Sequence, residues 1–154
     1  MTKSALSETS PHDFDAAAPS ARPPKVITID DEPCVRALIR HTLLRENYEV
    51  VEARNGREGL TAIRKEMPDL ILLDVVMPDM SGLEALHLIR TEDAIAHIPV
   101  LLLSGFKDTE RLGKALEQPA TDFLPKPFLL EELRERVRSM LLPAITSRRA
   151  FHNS

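Results

Sequence analysis

Between Lys25 and Leu142, five short aliphatic runs alternate with longer segments of helical period, and this alternation limits the chain to a small set of folds. The runs are Lys25 to Asp30 (KVITID), Tyr48 to Glu52 (YEVVE), Asp69 to Asp74 (DLILLD), Ile98 to Leu103 (IPVLLL) and Asp122 to Pro125 (DFLP). Nearly unbroken Ile, Val and Leu, rather than strict alternation with polar residues, is what a strand needs when helices cover both of its faces. Five buried parallel strands are therefore expected.

The segments between the runs carry helix signals. Val35, Leu38, Ile39 and Thr42 form an i, i+3, i+4, i+7 stripe, and Pro33 stands in the first turn, where its missing N–H costs little. Asn55 with Glu58, and Ser81 with Glu84, have the spacing of capping boxes. The fourth helix, about Lys107 to Glu117, is interrupted by Gly113 and closed by Pro119. The last repeats Leu130, Leu133, Val137, Met140 and Leu141 on one stripe, with acids early and arginines late, and Pro143 is expected to end it. Right-handed crossovers then favour an α/β, flavodoxin-like, doubly wound (βα)₅ domain with a five-stranded parallel sheet in the order 2-1-3-4-5.

At 154 residues, one core is the expectation. The organisation expected is a disordered N-terminal arm over 1–24, broken by Pro11, Pro19, Pro23 and Pro24, one domain over 25–142, and a C-terminal tail over 143–154 too short for an output domain. Hydrophobic residues make up 43% of the chain with no Trp and one Tyr, which suits helices packed on an aliphatic sheet better than a sandwich with aromatic interfaces. A formal charge of −4 leaves no basic footprint, so nucleic acid and anionic membranes are poor partners, and the Arg148-Arg149 pair reads as solvated. No apolar stretch approaches the roughly 20 residues that span a bilayer. Cys34, the single cysteine, can form no internal disulfide; it fits a cytoplasmic location and reads as a small helix residue near the core. His12, His41, His87, His97 and His152 show no metal-ligand spacing.

In an open parallel sheet, ligands bind beyond the carboxyl ends of the strands. Asp30 and Asp31 close the first strand, Asp74 the third and Ser104 the fourth, and Lys126 follows the fifth. Singly, each has an ordinary explanation: a helix cap, a turn residue before Met-Pro, a loop hydroxyl, a solvated charge. Together they aim at one crevice. Carboxylates 4 Å apart repel by about 4 kcal/mol per pair at an effective dielectric near 20, so a cation must offset them. A small hard ion that accepts carboxylate and phosphoryl oxygens describes Mg²⁺. Beside it, Asp74 suits a nucleophile toward phosphorus, Lys126 a ligand for phosphoryl oxygens, and Ser104 a hydroxyl that senses the phosphoryl group.

The Asp30-Asp31 pair, the stretch DLILLDVVMPDMSG from Asp69 to Gly82, Ser104-Gly105 and the run DFLPKPF from Asp122 to Phe128 closely resemble the receiver domain of two-component response regulators, with the spacings of that family, over Lys25 to Leu142. The resemblance implies that Asp74 accepts a phosphoryl group from a sensor histidine kinase or a histidine phosphotransfer protein. It implies that Asp31, Asp74 and the Val76 carbonyl ligate Mg²⁺, with Asp30 acting directly or through water. Phe123 would turn inward as Ser104 moves, the Lys126-Pro127 bond would be cis, and the fourth helix, fifth strand and fifth helix would present the face for a downstream protein, the domain being a monomer or weak dimer. Three positions depart from the commoner pattern: Pro119 stands where a Gly is usual, and Ser104 and Phe123 replace Thr and Tyr. Val76 and Phe106, two residues beyond Asp74 and Ser104, could shield the site from water and slow loss of the phosphoryl group. Two other possibilities stand beside this one: a Mg²⁺-dependent phosphohydrolase using Asp74 as a transient nucleophile, disfavoured because no insertion forms a substrate pocket, and a receiver-shaped binding module that is never phosphorylated.

Overall fold

The computed structural model describes residues 22–105 and 109–153, with side chains over 22–105 and 111–143. Residues 1–21 of the expected arm, Phe106, and the expected start of the fourth helix at Lys107 lie outside the described residues. The order of elements is β1 (Lys25–Ile29), α1 (Pro33–Leu44), β2 (Glu49–Ala53), α2 (Gly56–Glu66), β3 (Leu70–Asp74), α3 (Gly82–Thr91), β4 (Val100–Ser104), α4 (Thr109–Leu116), β5 (Thr121–Pro125) and α5 (Leu130–Asn153). The strands form one parallel sheet in the order β2-β1-β3-β4-β5.

Strand alternation splits the aliphatic runs between two cores. Ile27, Ile29, Ile71, Leu73, Val100 and Leu102 face one side, where Leu60 and Ile63 of α2, Ala85, Leu86 and Ile89 of α3 and Leu112 of α4 cover them. Val26, Leu70, Leu72, Leu101 and Leu103 face the other, against Ile39 and Leu43 of α1 and Leu133, Val137 and Leu141 of α5. Full burial of β3 and β4 follows from cover on both faces. The edge strands β2 and β5 are only partly buried, which corrects the expectation of five buried strands.

The capping residues start their helices by two different means. At α3 the full box forms: Glu84 N–H donates to Ser81 Oγ (3.2 Å) and Ser81 N–H to Glu84 Oε1 (3.1 Å). At α2, Asn55 Oδ1 accepts from Glu58 N–H (2.8 Å), but the Glu58 carboxylate accepts from Arg54 instead of closing the box.

Several local expectations are overturned. Leu38 is exposed, and the buried face of α1 is Ile39, Thr42 and Leu43, because the helix settles with that stripe against β1 and β2. Cys34, in the first turn, is exposed rather than near the core. Pro143 stands inside α5 rather than ending it. Proline removes one backbone bond, to the carbonyl of Ser139; that residue is exposed, so water can take the donor's place. In the turn after Pro119, Ala120 adopts the left-handed conformation with φ 56°. Arg90 grips that turn: its guanidinium donates to Ala120 O (3.0 Å) and Thr121 Oγ1 (3.0 Å), and also to Ala96 O and Ile98 O. A turn without glycine is thus held from outside, by a half-buried arginine.

Candidate functional site

The parallel sheet brings the carboxyl ends of β1, β3, β4 and β5 to one edge, and the polar residues of those ends meet there. Asp30, one residue past β1, is completely buried. Its Oδ1 accepts from the Glu32 N–H (2.9 Å), its Oδ2 from Lys126 Nζ (3.2 Å), and its carbonyl from Arg36 (2.7 Å). The arginine and the backbone therefore fix the residue that the sheet buries. Asp31, next along, is exposed and open to solvent.

Asp74 ends the central strand β3 and is 4% exposed. Its Oδ1 lies 3.2 Å from Lys126 Nζ and accepts a long bond from Val76 N–H (3.4 Å). Ligand oxygens of Asp30, Asp31 and Asp74 all lie within 4.8 Å of one another. Burial, and then the neighbouring charge of Asp30, push the Asp74 carboxyl up to about 6, with Lys126 acting the other way. Burial by itself would lower the Lys126 ammonium, but the Asp74 and Asp30 carboxylates outweigh it and raise the group above its ordinary value.

Lys126 is positioned by backbone as well as charge. Its N–H donates to Ser104 O (2.6 Å), continuing the β4–β5 ladder one step, and the Lys126-Pro127 bond is cis. Ser104 ends β4, 5% exposed, opposite Pro125 of β5. Phe123 lies in the middle of β5, half-buried against the core under α2, α3 and α4, and its carbonyl accepts from Arg136 of α5 (2.6 Å). Val76 projects beside Asp74 with 70% of its surface exposed. Asp30, Asp31, Asp74, Ser104 and Lys126 thus gather at one edge, whereas Phe123 lies deeper along β5.

The oxygen-only donor set suits a hard divalent cation. Asp31 offers an open carboxylate, Asp74 a carboxylate with one oxygen engaged by Lys126, and Asp30 a third within reach. The acidic crowding, eased among the described residues by the Lys126 ammonium at its centre, is the physical reason such an ion fits.

Two residues at the site escaped the sequence. Glu32 brings a fourth carboxylate to 3.9 Å from Lys126 Nζ. Gly82, first residue of α3, runs directly behind the chain at Asp74 and Val75; its N–H donates to Val75 O (2.8 Å). A glycine closing the DMSG turn was the available signal, but only the backbone path reveals the close approach.

Comparison with known proteins agrees with this arrangement. The family described as "Response regulator receiver domain" matches residues 26–138. The response regulator MprA of Mycolicibacterium vanbaalenii is 37% identical over 119 residues, which are 77% of this chain and 51% of that protein. The sensor histidine kinase TmoS of Ectopseudomonas mendocina is 36% identical over 118 residues, 77% of this chain and 12% of that protein. The chain thus spans about half the length of the response regulators it matches. Among solved structures, the Vibrio cholerae chemotaxis protein CheY4 superposes with a TM-score of 0.72 at 34% identity, covering 77% of this chain and 99% of that one. No helix among the described residues is long and apolar enough to cross a membrane. From its sheet order, its clustered aspartates and these matches, the chain belongs to the response regulator receiver domain family of two-component signalling.

Proposed function

We propose that this chain is a phosphoryl acceptor in two-component signalling, with Asp74 as the accepting residue. The observation that carries this is Lys126 Nζ at 3.2 Å from both Asp30 and Asp74, inside a set of three converging carboxylates. A buried carboxylate on a rigid central strand, faced by a fixed ammonium, is organised for attack at phosphorus. The P–N bond of a phosphohistidine donor breaks as an Asp74 oxygen bonds to phosphorus, and the imidazole leaves with the electron pair and gains a proton. Lys126 then bonds the phosphoryl oxygens. Asp31, Asp74 and the Val76 carbonyl would hold Mg²⁺, with Asp30 directly or through water; the ion, when bound, supplies positive charge to the transferring group.

Ser104 and Phe123 form the switch: the Ser104 hydroxyl bonds the phosphoryl group, and Phe123 turns further inward as Ser104 moves. The partners are a sensor histidine kinase or histidine phosphotransfer protein as donor, and a downstream protein at the α4, β5 and α5 face. Nucleic acid and membrane have no part in it. The chain acts in the cytoplasm as a monomer or weak dimer, and catalyses only its own phosphorylation and dephosphorylation.

Incubation with Mg²⁺ and a small phosphoramidate, followed by intact mass and peptide mapping, tests this. One added phosphoryl group on Asp74 is expected; a chain that stays at its starting mass, or is labelled elsewhere, removes the proposal. Val76 offers a second test, because an exposed aliphatic side chain beside Asp74 excludes water from the acyl phosphate. Val76→Asn is expected to shorten the phosphoryl lifetime roughly tenfold, a change of about 1.4 kcal/mol in barrier. An unchanged decay rate would show that Val76 shields nothing.

A further inference from the structure

Glu32 precedes α1 as its N-cap residue, yet its side chain makes no capping bond. Serine, threonine, aspartate or asparagine would serve that position better, so helix initiation does not explain the glutamate. Its carboxylate instead stands 3.9 Å from Lys126 Nζ, and the side chain is 63% exposed. The other two carboxylates on that ammonium, Asp30 and Asp74, are buried at 0% and 5% side-chain exposure. Lys126 is therefore held from within by two buried acids and from the solvent side by Glu32. Glu32 is also absent from the group of carboxylates close enough to share a cation.

We propose that Glu32 is a positioning residue that competes with the phosphoryl group for Lys126. This rests on Asp74 being the phosphoryl acceptor. Transfer moves negative charge from the buried Asp74 carboxylate out to phosphoryl oxygens near the mouth of the site, and Lys126 must follow it outward. Glu32 already occupies the outer side of the ammonium with a charge of the same sign as the incoming group. It stabilises the resting pairing of Lys126 and repels the phosphoryl oxygens, and both effects hold the domain in its unphosphorylated state.

Phosphorylation by phosphoramidate at saturating Mg²⁺ reads this directly. As the Asp74 oxygen bonds to phosphorus, the P–N bond breaks and ammonia leaves with the electron pair and a proton from solvent. Glu32→Gln is expected to gain the phosphoryl group faster at low ionic strength, by about two- to five-fold, the range an exposed ion pair can supply. The advantage shrinks in high salt, where exposed charges are screened over a few ångströms. Glu32→Asp, which keeps the charge, stays near the wild-type rate. Thermal unfolding of Glu32→Gln moves by no more than the loss of one exposed ion pair, since no capping bond is lost. If wild type is phosphorylated and Glu32→Gln proceeds at the same rate or more slowly, the competition is overturned while the acceptor assignment stands. If wild type gains no phosphoryl group at all, the acceptor assignment falls and this inference falls with it.

Discussion

Asp74→Asn is expected to abolish phosphoryl gain and, at the same time, to make the folded domain more stable at neutral pH. The two effects share a cause. Asp74 is buried beside Asp30, and its carboxyl titrates at about 6 in the folded chain against an ordinary value of 3.8. Because the folded value is raised, the native state binds the proton more tightly than the unfolded chain does. Stability from this group is fully present below about pH 4 and is lost as pH rises through about 6. At 1.36 kcal/mol per pH unit, the loss at pH 7.5 is about 3 kcal/mol, an order-of-magnitude figure. Asparagine has nearly the same shape and carries no charge, so it removes that penalty together with the nucleophile. Urea unfolding of wild type and Asp74→Asn at about pH 4, 5, 6 and 7.5 measures it: the difference in stability between the two chains should widen with pH, reaching about 3 kcal/mol in favour of Asp74→Asn at the highest. Parallel pH profiles would show that Asp74 carries no such penalty, and an Asp74→Asn chain that still acquires the phosphoryl group would place the nucleophile elsewhere.

The features legible in the sequence were those fixed by local pattern. Unbroken aliphatic runs such as LILL before Asp74 specify a strand covered on both faces, and five of them joined by helices leave few windings. The site followed, because parallel winding brings every strand's carboxyl end to one edge, wherever Asp30, Asp74, Ser104 and Lys126 fall along the chain. What depended on rotation or on distant partners did not follow. The apolar residues of α1 fit more than one stripe, and only docking on the sheet decided that Ile39 and Leu43 face inward while Leu38 and Cys34 face solvent. Pro143 is a helix breaker by local rule, but the carbonyl it leaves without a donor belongs to exposed Ser139 and can be hydrated, and α5 continues through it. Arg90, reaching from α3 to the Ala120 turn, leaves no sequence signal, since its partners are backbone carbonyls whose identity is invisible in the residue types. Glu32 was hidden for a related reason: beside an acidic pair it reads as one more surface charge, and only the fold brings Lys126 from the far end of the chain to within 3.9 Å.

Gly82→Ala is expected to be the most disruptive single-atom-group change near the site. A β-carbon there would sit 2.7 Å from Val75 Cα and 2.9 Å from Asp74 C, and closer still to the Asp74 carbonyl oxygen. All three are backbone atoms, so no side chain can turn aside to make room. Gly82 does not owe its place to a left-handed backbone, since no glycine in the described residues has positive φ; the requirement is space alone. Either the start of α3 lifts, breaking the Gly82 N–H to Val75 O bond and straining the Ser81–Glu84 capping box, or the chain at Asp74 is pushed toward Lys126. Overpacking a tight position costs about 1–3 kcal/mol, and with only backbone to yield, about 3 kcal/mol is expected here. Denaturant unfolding should show a lower midpoint with an unchanged slope, and phosphoryl gain by intact mass should fall well below wild type because Asp74 is displaced from its place on β3. Gly113→Ala is the matched control: nothing lies within 4 Å of its β-carbon, and in a helix interior alanine is favoured over glycine, so that variant should be at least as stable as wild type. A Gly82→Ala chain with wild-type stability would mean that α3 and the Asp74 loop can separate freely, and that the glycine does not hold the acceptor in position.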